Sequence, residues 1–98
     1  MFVKVIRSYR DIVAICDSEL LGKVFEEGKF QLDVKESFYK GEKLPEEKVL
    51  EIIQKMSAED ATFNIVGEKS IKVALKAGII SKQGIKTVQD IPFAMVLM

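Results

Sequence analysis

The chain has no histidine, no tryptophan, one cysteine and two prolines, and its basic and acidic side chains are equal in number. Each shortage removes something. Without histidine there is no imidazole acid–base relay and no imidazole metal ligand. A single cysteine cannot close an internal disulfide or build a thiolate metal cluster. Fifteen Lys and Arg against fifteen Asp and Glu give a net charge of zero. Such a chain is not a general polyanion binder, so any nucleic-acid contact has to come from a local patch. No run approaches the roughly 18 consecutive apolar residues of a membrane-spanning helix. The opening MFVKVIRSYRD alternates and carries charge too early for a secretory leader. Neither GxxxxGK[ST] nor GxGxxG occurs. The expectation is a cytoplasmic protein that leans away from catalysis, with no cofactor, no metal site and no catalytic residue to name.

What is present is a well-patterned globular sequence. Ninety-eight residues, 48% of them apolar, suit a single domain over residues 1–98 with a modest core. FVKVIRSYRDIVAIC reads as two strands around a polar turn at Ser8–Asp11. Phe2, Lys4 and Ile6 sort to one face, and Val3, Val5 and Arg7 to the other. The uniformly apolar IVAIC is patterned as a central strand covered on both sides. Asp17 or Ser18 can cap a short helix through Leu20 and Leu21 that Gly22 ends. Gly28 marks a turn, KFQLDV a third strand, and SFYKGEKL a loop bent at Gly41. Pro45 opens a helix over 45–56, with Glu46 and Glu47 at its positive end and Val49, Ile52, Ile53 and Met56 as its buried stripe. ATFNIV fits a short strand before Gly67, or the first turns of one long helix. After Gly67 a second helix runs to the stop at Gly78. Pro92 interrupts the tail, and FAMVL follows as a last strand. The fold class is α+β: a small, mostly antiparallel sheet with two main helices packed on one face.

Charge is unevenly spread within the zero total. Residues 41–60 hold three Lys and six acids, whereas residues 61–98 hold five Lys and two acids. In the second helix Lys69, Lys72 and Lys76 fall at i, i+3 and i+7 opposite the apolar side, with Lys82 and Lys86 beyond. That row can lie along a phosphate backbone, and it is equally the pattern of a solvated face. A strand–Gly–helix junction presents free N–H groups and a positive dipole end, so NIVGEKS could hold an anion, although Glu68 would repel one. Asn64 could bond a ligand there or bond local backbone. Tyr9, Phe38 and Tyr39 could stack on bases or close the core. Cys16, at the end of an apolar run, reads as a small hydrophobe. The pairs Glu26/Glu27 and Glu46/Glu47 read as solvated or dipole-matched positions. The C-terminal IPFAMVLM, if at a sheet edge, could recruit a second chain.

CDSELLGKVFEEGKFQLDV, SFYKGE and NIVGEKSIKVALKAGII together resemble the small archaeal family catalogued as domain of unknown function 424. The resemblance runs over nearly the whole chain. It implies a compact archaeal domain with a link to RNA or translation, and it brings no catalytic residues. The motif positions are Gly22, Lys23, Tyr39, Gly41, Asn64, Gly67 and Glu68. The leading expectation is a non-catalytic RNA- or ribosome-associated module. Its candidate binding residues are Lys23, Tyr39, Asn64, Gly67, Glu68, Lys69, Lys72 and Lys76. The alternatives are a protein-interaction module or homodimer using the C-terminal strand or the acidic 41–60 region, and a small-molecule enzyme at the Gly67 turn using Lys23, Asn64 and Glu68.

Overall fold

The computed structural model describes residues 1–97; Met98, the last residue of the C-terminal tail, lies outside them. In chain order the elements are β1 (Phe2–Ile6), β2 (Ile12–Cys16), β3 (Val24–Glu27), β4 (Phe30–Asp33), α1 (Glu36–Tyr39), β5 (Glu42–Lys43), α2 (Glu46–Ala58), β6 (Thr62–Val66), α3 (Glu68–Ala77), β7 (Lys86–Val88) and β8 (Ile91–Val96). Short 3-10 turns cover Ser18–Leu20 and Lys82–Gly84. Six strands form the main sheet in the order β5-β1-β2-β6-β8-β7, and β3 and β4 form a separate hairpin. All neighbours are antiparallel except β2 and β6, which run parallel from Ile12↔Thr62 to Cys16↔Val66.

Alternation along the strands splits the interior in two. Val13, Ile15, Phe63 and Ile65 face α2 and α3 and pack with Val49, Ile53, Met56, Ile71 and Val73. Ala14, Cys16 and Val66 point the other way and pack with Leu32, Val34 and Tyr39, brought by the β3–β4 hairpin and α1. Val13 through Cys16 are all fully buried, as the unbroken apolar run requires of a strand covered on both faces. The α2 stripe buries Val49, Ile53 and Met56 as its spacing predicts, with Pro45 standing just before the first turn. ATFNIV is a strand and not the start of a long helix.

Three local differences from the sequence-based expectation have clear causes. VFEE forms a strand because Gly28, at φ +61°, lets the chain double back into β4. SFYKGEKL is no plain loop: it holds one turn of helix and the two-residue β5, whose approach to β1 leaves no room for a Cβ on Gly41 beside the Val3 carbonyl. Pro92 does not interrupt the last strand but lies within it. The Gly67 N–H still bonds the Pro92 carbonyl at 2.8 Å, and the Gly67 carbonyl, which Pro92 has no N–H to meet, is taken by the Ile71 N–H at 2.9 Å.

The second core carries two protonated acids. Burial pushes the Cys16 thiol from its ordinary 9.0 to about 11, and the adjacent Asp17 carboxylate adds to the rise. Burial likewise pushes the Tyr39 phenol from 10.0 to about 12, with Cys16 and then Asp33 contributing. Both folded values are raised, so both groups favour the fold below their unfolded values and cease to do so as pH rises through the folded ones. Each shift corresponds to roughly 2–3 kcal/mol at full ionisation. Urea unfolding is therefore expected to give a steady midpoint from pH 7 to 8.5 and a falling one above about pH 9. The fall should be shallower in Cys16→Ala than in the parent chain.

Candidate functional site

The junction between β6 and α3 has the local chemistry of an anion site, and the protein fills it with its own carboxylate. Gly67 sits at φ +110°, outside the range of ordinary side-chain-bearing residues, and turns the strand into the helix. It supplies no side-chain cap. Asp17, which immediately follows β2, reaches across instead. Its Oδ2 accepts from the Lys69 N–H at 3.1 Å, and its Oδ1 accepts from the Ser70 N–H at 2.8 Å and the Ser70 hydroxyl at 2.7 Å. Asp17 is only 3% exposed, and Ser70 is fully buried. A Cβ on Gly67 would overlap that carboxylate. Two of the first-turn N–H donors, and the positive dipole end, thus meet a carboxylate from a distant segment.

This corrects two expectations. Asp17 does not cap the short turn that follows it, which has no side-chain cap bond. Gly67 does not open a free anion cradle, because the Asp17 carboxylate already occupies the Lys69 and Ser70 N–H groups. The adjoining cleft, about 140 Å³, is lined by Asp17, Glu19, Leu20, Glu68, Lys69, Ile91 and Pro92, so three carboxylates and three apolar side chains face a single lysine there. Sequence reasoning missed Ser70 altogether. The signal was present, since serine three residues after a helix-opening glycine in an otherwise apolar position has to find a polar partner.

The remaining candidates disperse. Glu68 is exposed at the mouth of the cleft, which neither Lys23 nor Asn64 lines. Lys23 is an exposed residue just before β3, bound through its carbonyl to the Val34 N–H at 2.9 Å. Asn64 lies in mid-strand, in register with Ala14 and Met95 on the face turned away from α2 and α3. Lys23 and Asn64 therefore do not join Glu68 at this cleft. Tyr39 is buried, with its ring edge-on to Phe38 at 5.0 Å and 76°. Of the three aromatic candidates, only Tyr9 is fully exposed.

Lys69, Lys72 and Lys76 do share the exposed side of α3. Lys76 lies 3.9 Å from Glu46 on α2. Among the described residues Lys69 and Lys72 have no carboxylate partner. Lys82 and Lys86 are exposed further on. Strand β8 is interior to the sheet over Ile91–Phe93, where β7 pairs with it, and has no strand partner on that side beyond Phe93. There Met95 and Leu97 are 62% and 75% exposed. No group of three or more His, Cys, Asp or Glu gathers as a metal cage among the described residues. No helix there is long and apolar enough to cross a membrane.

This three-layered α+β domain, with its charged helix face and internally capped junction, has relatives. The family described as "Protein of unknown function (DUF424)" matches residues 6–98, and the chain belongs to it. The fold is also that of an uncharacterized conserved protein from Methanopyrus kandleri. That likeness has a TM-score of 0.86 at 21% identity, over 97% of this chain and 88% of the other. Comparison with curated proteins finds no match.

The Asp17 cap makes a direct prediction. Asp17→Ala should cost about 3 kcal/mol, since it removes charge-assisted bonds and leaves buried donors unpaired. Asp17→Asn should recover part of that. Gly67→Ala should destabilise comparably. Urea unfolding measures the losses, and faster amide exchange at Lys69 and Ser70 localises them.

Proposed function

We propose that the protein is a non-catalytic RNA-binding module that lays the lysine-bearing side of α3 along a phosphate backbone. The observation that carries this reading is the pair Lys69 and Lys72, exposed on one side of a helix with no internal carboxylate to neutralise them. Lys76 joins them by exchanging Glu46 for phosphate. That exposed pair, at 3.9 Å, is of the kind whose net worth is small. With the Lys69 and Ser70 N–H groups of α3 committed to Asp17, the helix contributes side-chain ammonium groups rather than a backbone anion site. Recognition of this kind reads backbone charge and not sequence. RNA, ribosomal RNA included, supplies that charge at close spacing.

Three lysine contacts to a single strand give an expected log–log salt slope of about −2, at about −0.7 per contact. Fluorescence anisotropy with a labelled single-stranded RNA measures it. Lys69→Glu with Lys72→Glu should weaken binding at least ten-fold and flatten the slope. An RNA affinity that neither salt nor these substitutions alters would remove the reading.

A second reading, as a protein-contact module, rests on the unpaired end of β8 with its exposed Met95 and Leu97. An uncharged strand end is the kind of edge that pairs with another chain. On this reading sedimentation equilibrium should show the apparent mass rising above 11.0 kDa with concentration, and Met95→Lys should hold it there. A constant mass in the parent chain would count against self-pairing.

A further inference from the structure

The tip of the β1–β2 hairpin is built differently from an ordinary surface turn. Its connection, Arg7–Asp11, is cross-braced. The Arg7 guanidinium bonds the Asp11 carboxylate at 2.6 Å, the Ser8 N–H bonds the same carboxylate at 3.4 Å, and the Ser8 hydroxyl bonds the Arg10 carbonyl at 2.5 Å. Hairpin tips favour Gly, Asn and Asp, which bend cheaply and bond their own backbone. Here the summit is Tyr9, wholly exposed on a loop that these side-chain bonds bridge. An exposed aromatic ring has two faces free for stacking.

Beside the ring is a polar cleft of about 460 Å³, lined by Ser8, Tyr9, Arg10, Asp11, Glu59 and Asp60. The Glu59 and Asp60 side chains, from the α2–β6 connection, make no hydrogen bond or ion pair among the described residues. Arg10 has no carboxylate partner there either. The free groups around the ring are therefore one cation and two acceptor-only carboxylates. A carboxylate needs N–H donors opposite it. Guanine presents two kinds on one edge, its ring N1–H and its exocyclic N2 amino group. Uracil presents a single N–H between two carbonyl oxygens, which the carboxylates would repel.

We infer that this tip is a pocket for an unpaired guanine of single-stranded RNA, and the inference rests on the RNA-binding reading above. Tyr9 stacks on the base, the carboxylates of Glu59 and Asp60 accept from its N1–H and N2 amino edge, and Arg10 meets an adjacent phosphate. The lysine side of α3 supplies sequence-blind affinity, and the hairpin tip supplies the choice of base.

The test compares two RNA hexamers, all-uridine and uridine with one central guanosine, by anisotropy and by ¹H NMR of the tyrosine rings. Tyr9 and the buried Tyr39 are the only tyrosines. The expected result is about ten-fold tighter binding of the guanosine hexamer, in the range of one hydrogen bond to a charged acceptor that uracil cannot make. Ring-current shifts should be confined to Tyr9. Tyr9→Ala should erase the preference, Tyr9→Phe keep it, and Asp60→Asn with Glu59→Gln reduce it. Circular-dichroism melts matching the parent would show that these exposed variants fold.

Binding of both hexamers alike, lost in Lys69→Glu with Lys72→Glu but indifferent to Tyr9→Ala, overturns the pocket and leaves the RNA reading standing. A guanosine preference that survives Tyr9→Ala also overturns it. Tyr9 shifts produced by an arginine-rich peptide and not by RNA would replace the base with a protein ligand. Absence of RNA binding at 20 mM salt, on the order where phosphate contacts are strongest, overturns both proposals.

Discussion

One buried carboxylate organises the centre of this protein. Asp17 follows the strand that is sealed on both faces and ties it to the first turn of α3, fifty-two residues further on. Its three acceptor contacts take donors that would otherwise be stranded inside the domain. The cap also dictates its surroundings. Gly67 has to lack a side chain because the carboxylate occupies that space, and Ser70 has to be small and polar because it completes the shell. Pro92 fits within an interior strand because the same strand-to-helix turn diverts the Gly67 carbonyl into the helix. A turn that looks like a ligand site by its residues is therefore a structural joint by its bonds.

With the joint closed, the chemistry available to a partner lies in side chains held out to water. The α3 lysines and the β1–β2 tip differ in kind. The first is a row of flexible cations, and the second is a braced loop carrying an aromatic ring beside free acids. A neutral chain can support both because its charges are grouped, with Glu46 and Glu51 partnering Lys76 and Lys48 at exposed sites on the helical layer. Screened pairs of that sort exchange readily and leave the surface open to a competing ligand.

Much of the architecture was legible in the residues, because periodicity reports burial. The all-apolar IVAIC announced a doubly covered strand, the Val49–Ile53–Met56 spacing an α2 core face, and Gly78 the end of α3. What stayed hidden depended on partners distant in sequence. Two adjacent glutamates disguise β3, whose pairing is stabilised by contacts such as that between Gln31 and Glu26. The β7–β8 turn uses Gln89 and Asp90, both at positive φ, where a hairpin would be expected to show Asn-Gly. It is held by Gln89 bonding Glu27 and the Glu26 carbonyl across the molecule. At the candidate site the lysine row was visible from its spacing. The occupancy of the α3 N-terminus was not, since nothing near Gly67 in the sequence points to Asp17.

The side-by-side run of β2 and β6 also governs how the molecule comes together. The pairs β1–β2, β3–β4 and β7–β8 join neighbours in sequence and can zip within microseconds. The central seam joins residues fifty apart. It has to wait for a long loop to close, an entropic barrier that grows only slowly with loop length. Until then no lone hairpin has a layer to rest on and Asp17 has no helix to hold. Order at the middle and order at the periphery therefore arrive in one concerted event.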